Sequence, residues 1–152
     1  MSAHEWTRGD FVISTDRARV DVEAVHRFLQ SSYWAAGIPL EVVRRSVEHS
    51  LPFGLYRLST GEQMGFARVT TDFATFAYLA DVFIADALRG QGLGKWLVET
   101  LVAHPELQGL RRWLLATSDA HTLYAQHGFT PLSAPERFME KWDPEVYRRG
   151  SR

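Results

Sequence analysis

The segment Thr75-Phe-Ala-Tyr-Leu-Ala-Asp81-Val-Phe-Ile84, followed after a short link by Arg89-Gly90-Gln91-Gly92-Leu93-Gly94-Lys95, decides the fold. The first part is nearly all apolar, which predicts a central strand covered on both faces. The second part opens a helix whose apolar positions are Leu97, Leu101 and Val102. Glycines at alternate positions let the backbone approach a ligand with no side chain between them, and they permit positive φ. The unpaired N–H groups at the start of the helix, together with its dipole, favour an anion there. Arg89 and Lys95 add positive charge. A tight turn that binds nothing is the bland alternative, and three alternating glycines between a strand and a helix weigh against it.

The identity of the anion is narrowed by two exclusions. A P-loop needs Gly-x-x-x-x-Gly-Lys followed by Ser or Thr. Here Trp96 follows Lys95, Arg89 stands five before Gly94, and no hydroxyl is in place for magnesium. A Rossmann fingerprint needs Gly-x-Gly-x-x-Gly with an acidic residue about 20 positions on. The spacing Gly90-x-Gly92-x-Gly94 fails that test.

Outward from this segment the pattern alternates between helix and strand signals. Phe11 to Ile13 make a short strand. Asp21 is placed to cap a helix with Val22, Val25, Phe28 and Leu29 on one face. Tyr33 to Pro39 form a loop, and Leu40, Val43, Val47 and Leu51 repeat at helical spacing after Pro39. Phe53 to Leu58 and Met64 to Thr70 flank a turn at Ser59-Thr60-Gly61-Glu62, which predicts a hairpin. After the glycine loop come a buried strand at Trp113 to Ala116, a short helix from about Asp119 to Gln126, and Gly128 as a left-handed stop. Phe129 and the stretch Arg137 to Trp142 are expected to supply the final strands. The expected unit is a single domain over residues 11–147, with residues 1–10 and 148–152 as flexible ends.

Composition narrows the function classes. A chain of 152 residues fits one domain, and 45% hydrophobic with 23% charged residues excludes a disordered or collagen-like chain. The balance of 17 Lys and Arg against 18 Asp and Glu argues against nucleic acid as the main partner. The absence of cysteine removes disulfides, thiolate zinc sites and cysteine nucleophiles. His4, His26, His104, His121 and His127 show no ligand spacing, so no metal is expected. The N-terminus lacks the apolar core of a signal peptide. The longest apolar stretch, Phe73 to Leu88, is broken by Asp81 and Asp86 and is too short to cross a membrane. A soluble, cytoplasmic domain without membrane contact is expected.

Arg89-x-x-Gly92-x-Gly94 resembles the acyl-CoA pyrophosphate signature of the GNAT N-acyltransferase superfamily, and Ala120-x-x-Leu123-Tyr124-x-x-x-Gly128-Phe129 resembles its second signature. The order of elements agrees over roughly residues 11 to 147. The resemblance implies an α/β (α+β) fold: a mixed, mostly antiparallel central sheet of about six to seven strands flanked by about four helices. It implies acetyl-CoA as acyl donor, with Val82, Phe83 and Ile84 offering backbone groups to the pantetheine arm. The amides of Gly90, Gln91, Gly92, Leu93, Gly94 and Lys95, beside Arg89, would hold the pyrophosphate, and Tyr124 would sit beside the thioester sulfur. The family often has Asn seven residues before that tyrosine; this chain has Thr117, a partial substitute for the same contact.

Acyl transfer to an amine needs aligned reactants, a neutral amine and a proton for the departing thiolate. Tyrosine, with a reference pKa of about 10, suits the last task. Asp81 is the leading candidate base, because a carboxylate in an apolar strand must be paired, face a cleft or be protonated. A hydrogen-bonded structural role competes equally, and water is an alternative base. Asp72, Glu48 and His49 read as solvated surface. Tyr33 and Trp34 are placed to border an acceptor pocket or simply to pack. The absence of Gly-x-Ser-x-Gly argues against an α/β-hydrolase. The preferred function is therefore an acetyl-CoA-dependent N-acyltransferase acting on a small-molecule or peptide amine. The alternative is a catalytically idle CoA-binding or sensor module. A homodimer is common for the fold, though no sequence feature demands one.

Overall fold

The computed structural model describes residues 2–149. Its elements run β1 (Glu5–Arg8), β2 (Phe11–Ser14), α1 (Val22–Gln30), α2 (Leu40–Glu48), β3 (Leu51–Arg57), β4 (Gln63–Thr71), β5 (Phe76–Ile84), α3 (Leu93–Val102), β6 (Arg112–Leu115) and α4 (His121–Ala125). The strands lie in chain order across one 6-stranded sheet. Every neighbouring pair is antiparallel except β5 and β6, which are parallel because α3 returns the chain to the same end of the sheet.

The apolar pattern explains the layering. Asp21 accepts a hydrogen bond from the Ala24 amide at 3.1 Å and starts α1, and Pro39 precedes the first turn of α2. Val25, Leu29, Val43 and Val47 from these helices pack on Phe66 of β4. The next residue, Ala67, points to the opposite face, where Leu93, Leu97, Val98 and Leu101 of α3 meet Phe53, Leu55, Val69 and Leu79. Each fully buried Leu or Phe contributes about 1.5–3 kcal/mol of transfer free energy. The sheet is thus covered on both faces, but β5 is not the central strand expected: it lies one strand from the β6 edge and is buried only at Ala77 and Leu79.

The ends of the chain differ from the sequence expectation. Residues 1–10 are not simply a flexible end, because Glu5–Arg8 forms β1 against β2. Trp6 anchors it by stacking on Phe53, with ring centroids 6.3 Å apart, and Glu5 pairs with Arg19 at 2.7 Å. Of the expected tail, Arg148 pairs with Glu145 and Arg149 with Asp143, while residues 150–152 lie outside the described residues. Phe129 and Arg137 to Trp142 form no strand; a 3-10 turn at Pro135–Arg137 stands there instead. Phe138 meets β6 only through its side chain, with Arg112 over its ring at 4.8 Å, and the stretch makes no backbone ladder with that strand. The last helix is shorter than expected, and Asp119 does not cap it: Thr117 Oγ1 accepts from the Ala120 amide at 3.1 Å. Gly128 does take the left-handed conformation at φ 90°.

Candidate active site

The site begins where two strands part. β5 stays paired with β4 as far as Ile84 but with β6 only as far as Leu79. From Ala80 to Ile84 the edge of β5 that faces away from β4 is therefore free, and beyond Leu115 the chain turns off toward α4. Between β4 and β5 the register jumps from Phe66↔Phe83 to Arg68↔Ala80, so Ala67 opposes both Asp81 and Val82. This is a β-bulge, and Asp81 occupies it at φ 58°. Asp tolerates that conformation better than most residues, though at some cost in strain. The bulge re-aims the strand at the mouth of the cleft.

The glycine loop closes one end of the same cleft. Gly90 and Gly92 have φ of 84° and 75°, the left-handed region that favours glycine. A Cβ built on either would meet nothing within 4 Å, so the space over the loop is open and the demand for glycine is conformational. Gly92 caps α3 without any side-chain hydrogen bond. The Arg89 amide donates to Asp86 and the Trp96 amide to Gly92, but the amides from Gly90 to Lys95 donate to no acceptor among the described residues. Such a run of convergent N–H groups is an anion cradle. A Cβ at Gly94 would lie 3.8 Å from Ile84 Cγ1, which sets the cradle against the free edge of β5. Lys95 is exposed beside it, while Arg89 is paired with Asp86 at 3.0 Å. Free strand edge and anion cradle are therefore contiguous, as a long ligand with an amide-bearing arm and a pyrophosphate requires.

Tyr124 stands on α4. It is buried, at 8% exposure, and burial pushes its hydroxyl up to about 12, with Tyr33 and Asp119 adding to the shift. The hydroxyl makes no hydrogen bond to any described residue. Tyr33 reaches over from the α1–α2 loop, and its hydroxyl accepts from the Ser118 amide at 3.1 Å. Hydrogen bonding to Ser118 holds the Tyr33 phenol below its ordinary range. Thr117 accepts from both Asp119 and Ala120 amides, and its hydroxyl hydrogen-bonds toward the Tyr33 phenol.

Asp81 is not an isolated carboxylate. One oxygen accepts from Arg68 Nε at 2.7 Å and the other from Trp34 Nε1 at 2.9 Å. Its side chain is 8% exposed. Trp34 leans on Phe28, which stacks on Phe83 with centroids 4.0 Å apart. Tyr147 completes the wall: burial raises its hydroxyl first, and Asp81 is near enough to add to that shift.

Residues 53–131 match the model of the acetyltransferase (GNAT) domain. A candidate acetyltransferase of Gibberella zeae is 35% identical over 122 residues, which span 68% of each chain. This chain belongs to the GNAT acetyltransferase family. The crystal structure of a candidate GNAT acetyltransferase from Xanthomonas campestris pv. campestris is 49% identical, with a TM-score of 0.87 over 90% of this chain and 96% of that one. A Mycobacterium tuberculosis protein solved with CoA shares the fold at 20% identity and a TM-score of 0.62, over 80% of this chain and 72% of that one.

In this GNAT acetyltransferase the residues singled out from sequence fall into two neighbouring groups: Val82 to Ile84 and Gly90 to Lys95 meet where Ile84 faces Gly94, while Thr117 and Tyr124 stand beyond β6 and are linked to Asp81 through Tyr33 and Trp34. Asp72 stands apart in a turn, where its carboxylate is held low by hydrogen bonds from Thr75 and Ala74. Arg68 and Tyr147 were not foreseen. Arg68 had a readable signal, since it interrupts the apolar stretch from Met64 to Thr70 just as Asp81 interrupts the next strand. Tyr147 had none, because it arrives from a tail without periodicity. A cavity of about 720 Å³ flanks β6, and Thr117 and Tyr124 line it. No β5 residue lines it, so it lies on the outer side of β6 and is not the anion-binding space. Among the described residues no group of three or more His, Asp or Glu is placed to hold a metal, and no helix is long and apolar enough to cross a membrane.

Proposed function

We propose that this chain transfers the acetyl group of acetyl-CoA to a primary amine by direct attack. The observation that carries the reading is the unpaired run of amides from Gly90 to Lys95 joined to the free β5 edge. Val82, Phe83 and Ile84 would receive the pantetheine arm as an added strand, with main-chain hydrogen bonds. Gly90 to Lys95, with the side chains of Lys95 and Arg89, would hold the pyrophosphate. When bound, the thioester supplies the activated acetyl group. Tyr124 donates its proton toward the sulfur as the carbon–sulfur bond breaks and the carbon–nitrogen bond forms. A hydroxyl near 12 is a weaker acid than a free phenol, so its part is hydrogen-bonded charge stabilisation with late proton transfer. Asp81, with each oxygen already accepting from a fixed donor, positions Trp34 at the acceptor wall, and water takes the amine proton.

The test is turnover of acetyl-CoA with a panel of small-molecule and peptide amines, read as free thiol released and acetylated amine formed. Stoichiometric formation of both supports the proposal. Tight CoA binding with no acetylated product from any amine would favour the idle CoA-binding or sensor module.

A further inference from the structure

We propose that the bulge between β4 and β5 carries a site for a free amino acid: Arg68 takes its carboxylate and Asp81 its amino group. As the acceptor site this rests on the acetyl-transfer reading above, and it names the class of amine.

The course of the donor fixes where the acceptor must come. The cradle at Gly90 to Lys95 meets β5 at Ile84. An arm that runs back from there along the free edge passes Val82 and brings its acyl end to Asp81. Arg68 stands beside that point on β4, opposite Ala80. Residues at alternate positions share one face of a strand, so Arg68 and Thr70 project to the side of Phe66, which is the side that carries α1 and α2. A molecule bound there reaches the acyl end from that face.

Hydrogen-bond capacity gives the chemistry. Arg68 spends Nε on Asp81 at 2.7 Å and Nη1 on Thr70 Oγ1 at 3.3 Å, while Nη2 donates to no described residue. Its side chain is 21% exposed, so a ligand can reach it while bulk water largely cannot. The Tyr147 hydroxyl is close by: burial raises it, and the charges of Asp81 and Arg68 both act on it. A carboxylate can accept from a guanidinium edge and a phenol together, in charge-assisted bonds. Asp81 in turn accepts one hydrogen bond on each oxygen, out of about four acceptor positions on a carboxylate. The remainder suits an ammonium, which gives its proton to water before attack. A fixed ion pair with unspent donors on one member and unspent acceptors on the other complements a zwitterion. A simple amine would serve Asp81 alone, and a peptide N-terminus presents a neutral amide where Arg68 needs an anion.

The wall favours an apolar or aromatic side chain on that amino acid. Trp34 is held by its bond to Asp81, yet it stays 42% exposed and stands edge-on to Tyr33, with ring centroids 5.0 Å apart. Phe28 and Phe83 stack behind it.

The experiment pairs phenylalanine with phenethylamine, and leucine with 3-methylbutylamine, so that each pair differs by the carboxylate alone. Binding to the CoA-loaded full chain is followed by calorimetry, and acetyl transfer from acetyl-CoA is measured beside it. The amino acid of each pair should bind more tightly by roughly 10 to 10²-fold, the usual worth of hydrogen bonds to a charged group. Arg68→Gln should bring that ratio to about one, and a ratio taken within one protein does not depend on its folded fraction. Tyr147→Phe, which leaves the ion pair intact, should lower the ratio by about threefold and supplies the test if Arg68→Gln does not fold. Arg68-dependent binding of the amino acids without any acetylated product would support the site and sink the transfer reading. Acetylation of the decarboxylated amines alone would keep the transfer reading and overturn the site. Equal affinity within each pair, no binding of either amino acid, or a ratio that both substitutions leave unchanged would also overturn it.

Discussion

Up to Leu107 the chain supplies the two apolar clusters that sandwich the sheet, and its glycine loop and bulge are set into that frame. Beyond Leu107, among the described residues, Tyr124 is the one hydrophobic side chain that is buried. The first region is specified by its own packing. The second contributes a tyrosine, a threonine, an open strand edge and little core. The boundary between the regions is the cleft itself, where β5 belongs to the packed part and β6 parts from it. Burial by the packed part raises the Tyr124 hydroxyl, so the chemistry draws on both.

The largest effect should come from the packed side of the cleft. Gly94→Glu places a carboxylate in the first turn of α3, against Ile84 and the amides of the cradle, without demanding positive φ. CoA binding measured by calorimetry should be lost, with the melting curve nearly unchanged. Gly92→Val should also abolish binding, but φ of 75° adds backbone strain there, so its folded fraction must be measured alongside. Retained affinity in folded Gly94→Glu would mean that the cradle does not carry the pyrophosphate.

The second region should answer in rate, not in binding. Tyr124→Phe keeps the ring, and CoA affinity should barely move. Acetyl transfer in single-turnover measurements should fall by about 10² to 10⁴-fold. The deficit should shrink with an acyl donor whose thiol is more acidic. Because the hydroxyl titrates at about 12, the wild-type rate should show no downturn from this residue as pH rises to about 10.

A smaller change is expected at Asp81. Asp81→Asn keeps an acceptor for Trp34 and tolerates φ of 58°, but leaves Arg68 without its charge partner. A positioning role predicts roughly a tenfold loss, mainly as a higher KM for the amine, since truncating one partner costs the alignment it gave. A loss of 10² or more in kcat would instead identify Asp81 as the base.

The smallest effect lies in the packed region, far from the cleft. His104 is buried, and burial, then His4, holds its imidazole below the ordinary value. The Glu106 amide donates to Nδ1, which assigns the proton to Nε2, an atom with no partner. The unfolded chain therefore takes up a proton at higher pH than the folded one. Stability from this group is fully present above about pH 6.5 and declines as pH falls toward the folded value. Melting temperature should drop by a few degrees on acidification, on the order of 2–4 °C per kcal/mol, and His104→Phe should flatten that slope.

How much was legible follows the same division. The glycine loop, the strand before it, the Asp21 cap and the alternation of helices and strands could be read because hydrophobic period and turn chemistry act locally. The strand at Glu5–Arg8 was missed because Trp6 is anchored by stacking on Phe53, a contact two strands away and distant in sequence. The stretch Arg137 to Trp142 has strand character in sequence, yet it meets β6 through the Phe138 ring and not through a backbone ladder. Arg68 stood out in its strand, but its pairing with Asp81 was invisible, since a salt bridge between adjacent strands depends on register and on the bulge that shifts it.

The central claim is that acetyl-CoA lies along β5 and ends on the glycine loop. Amide hydrogen exchange on the wild-type chain, with and without CoA, tests it without any substitution. Protection should appear at Val82 to Ile84 and at Gly90 to Lys95, with little change along α1, α2 and β1. Binding that protects a different surface, or saturating CoA that leaves these amides exchanging at their free rate, would contradict it.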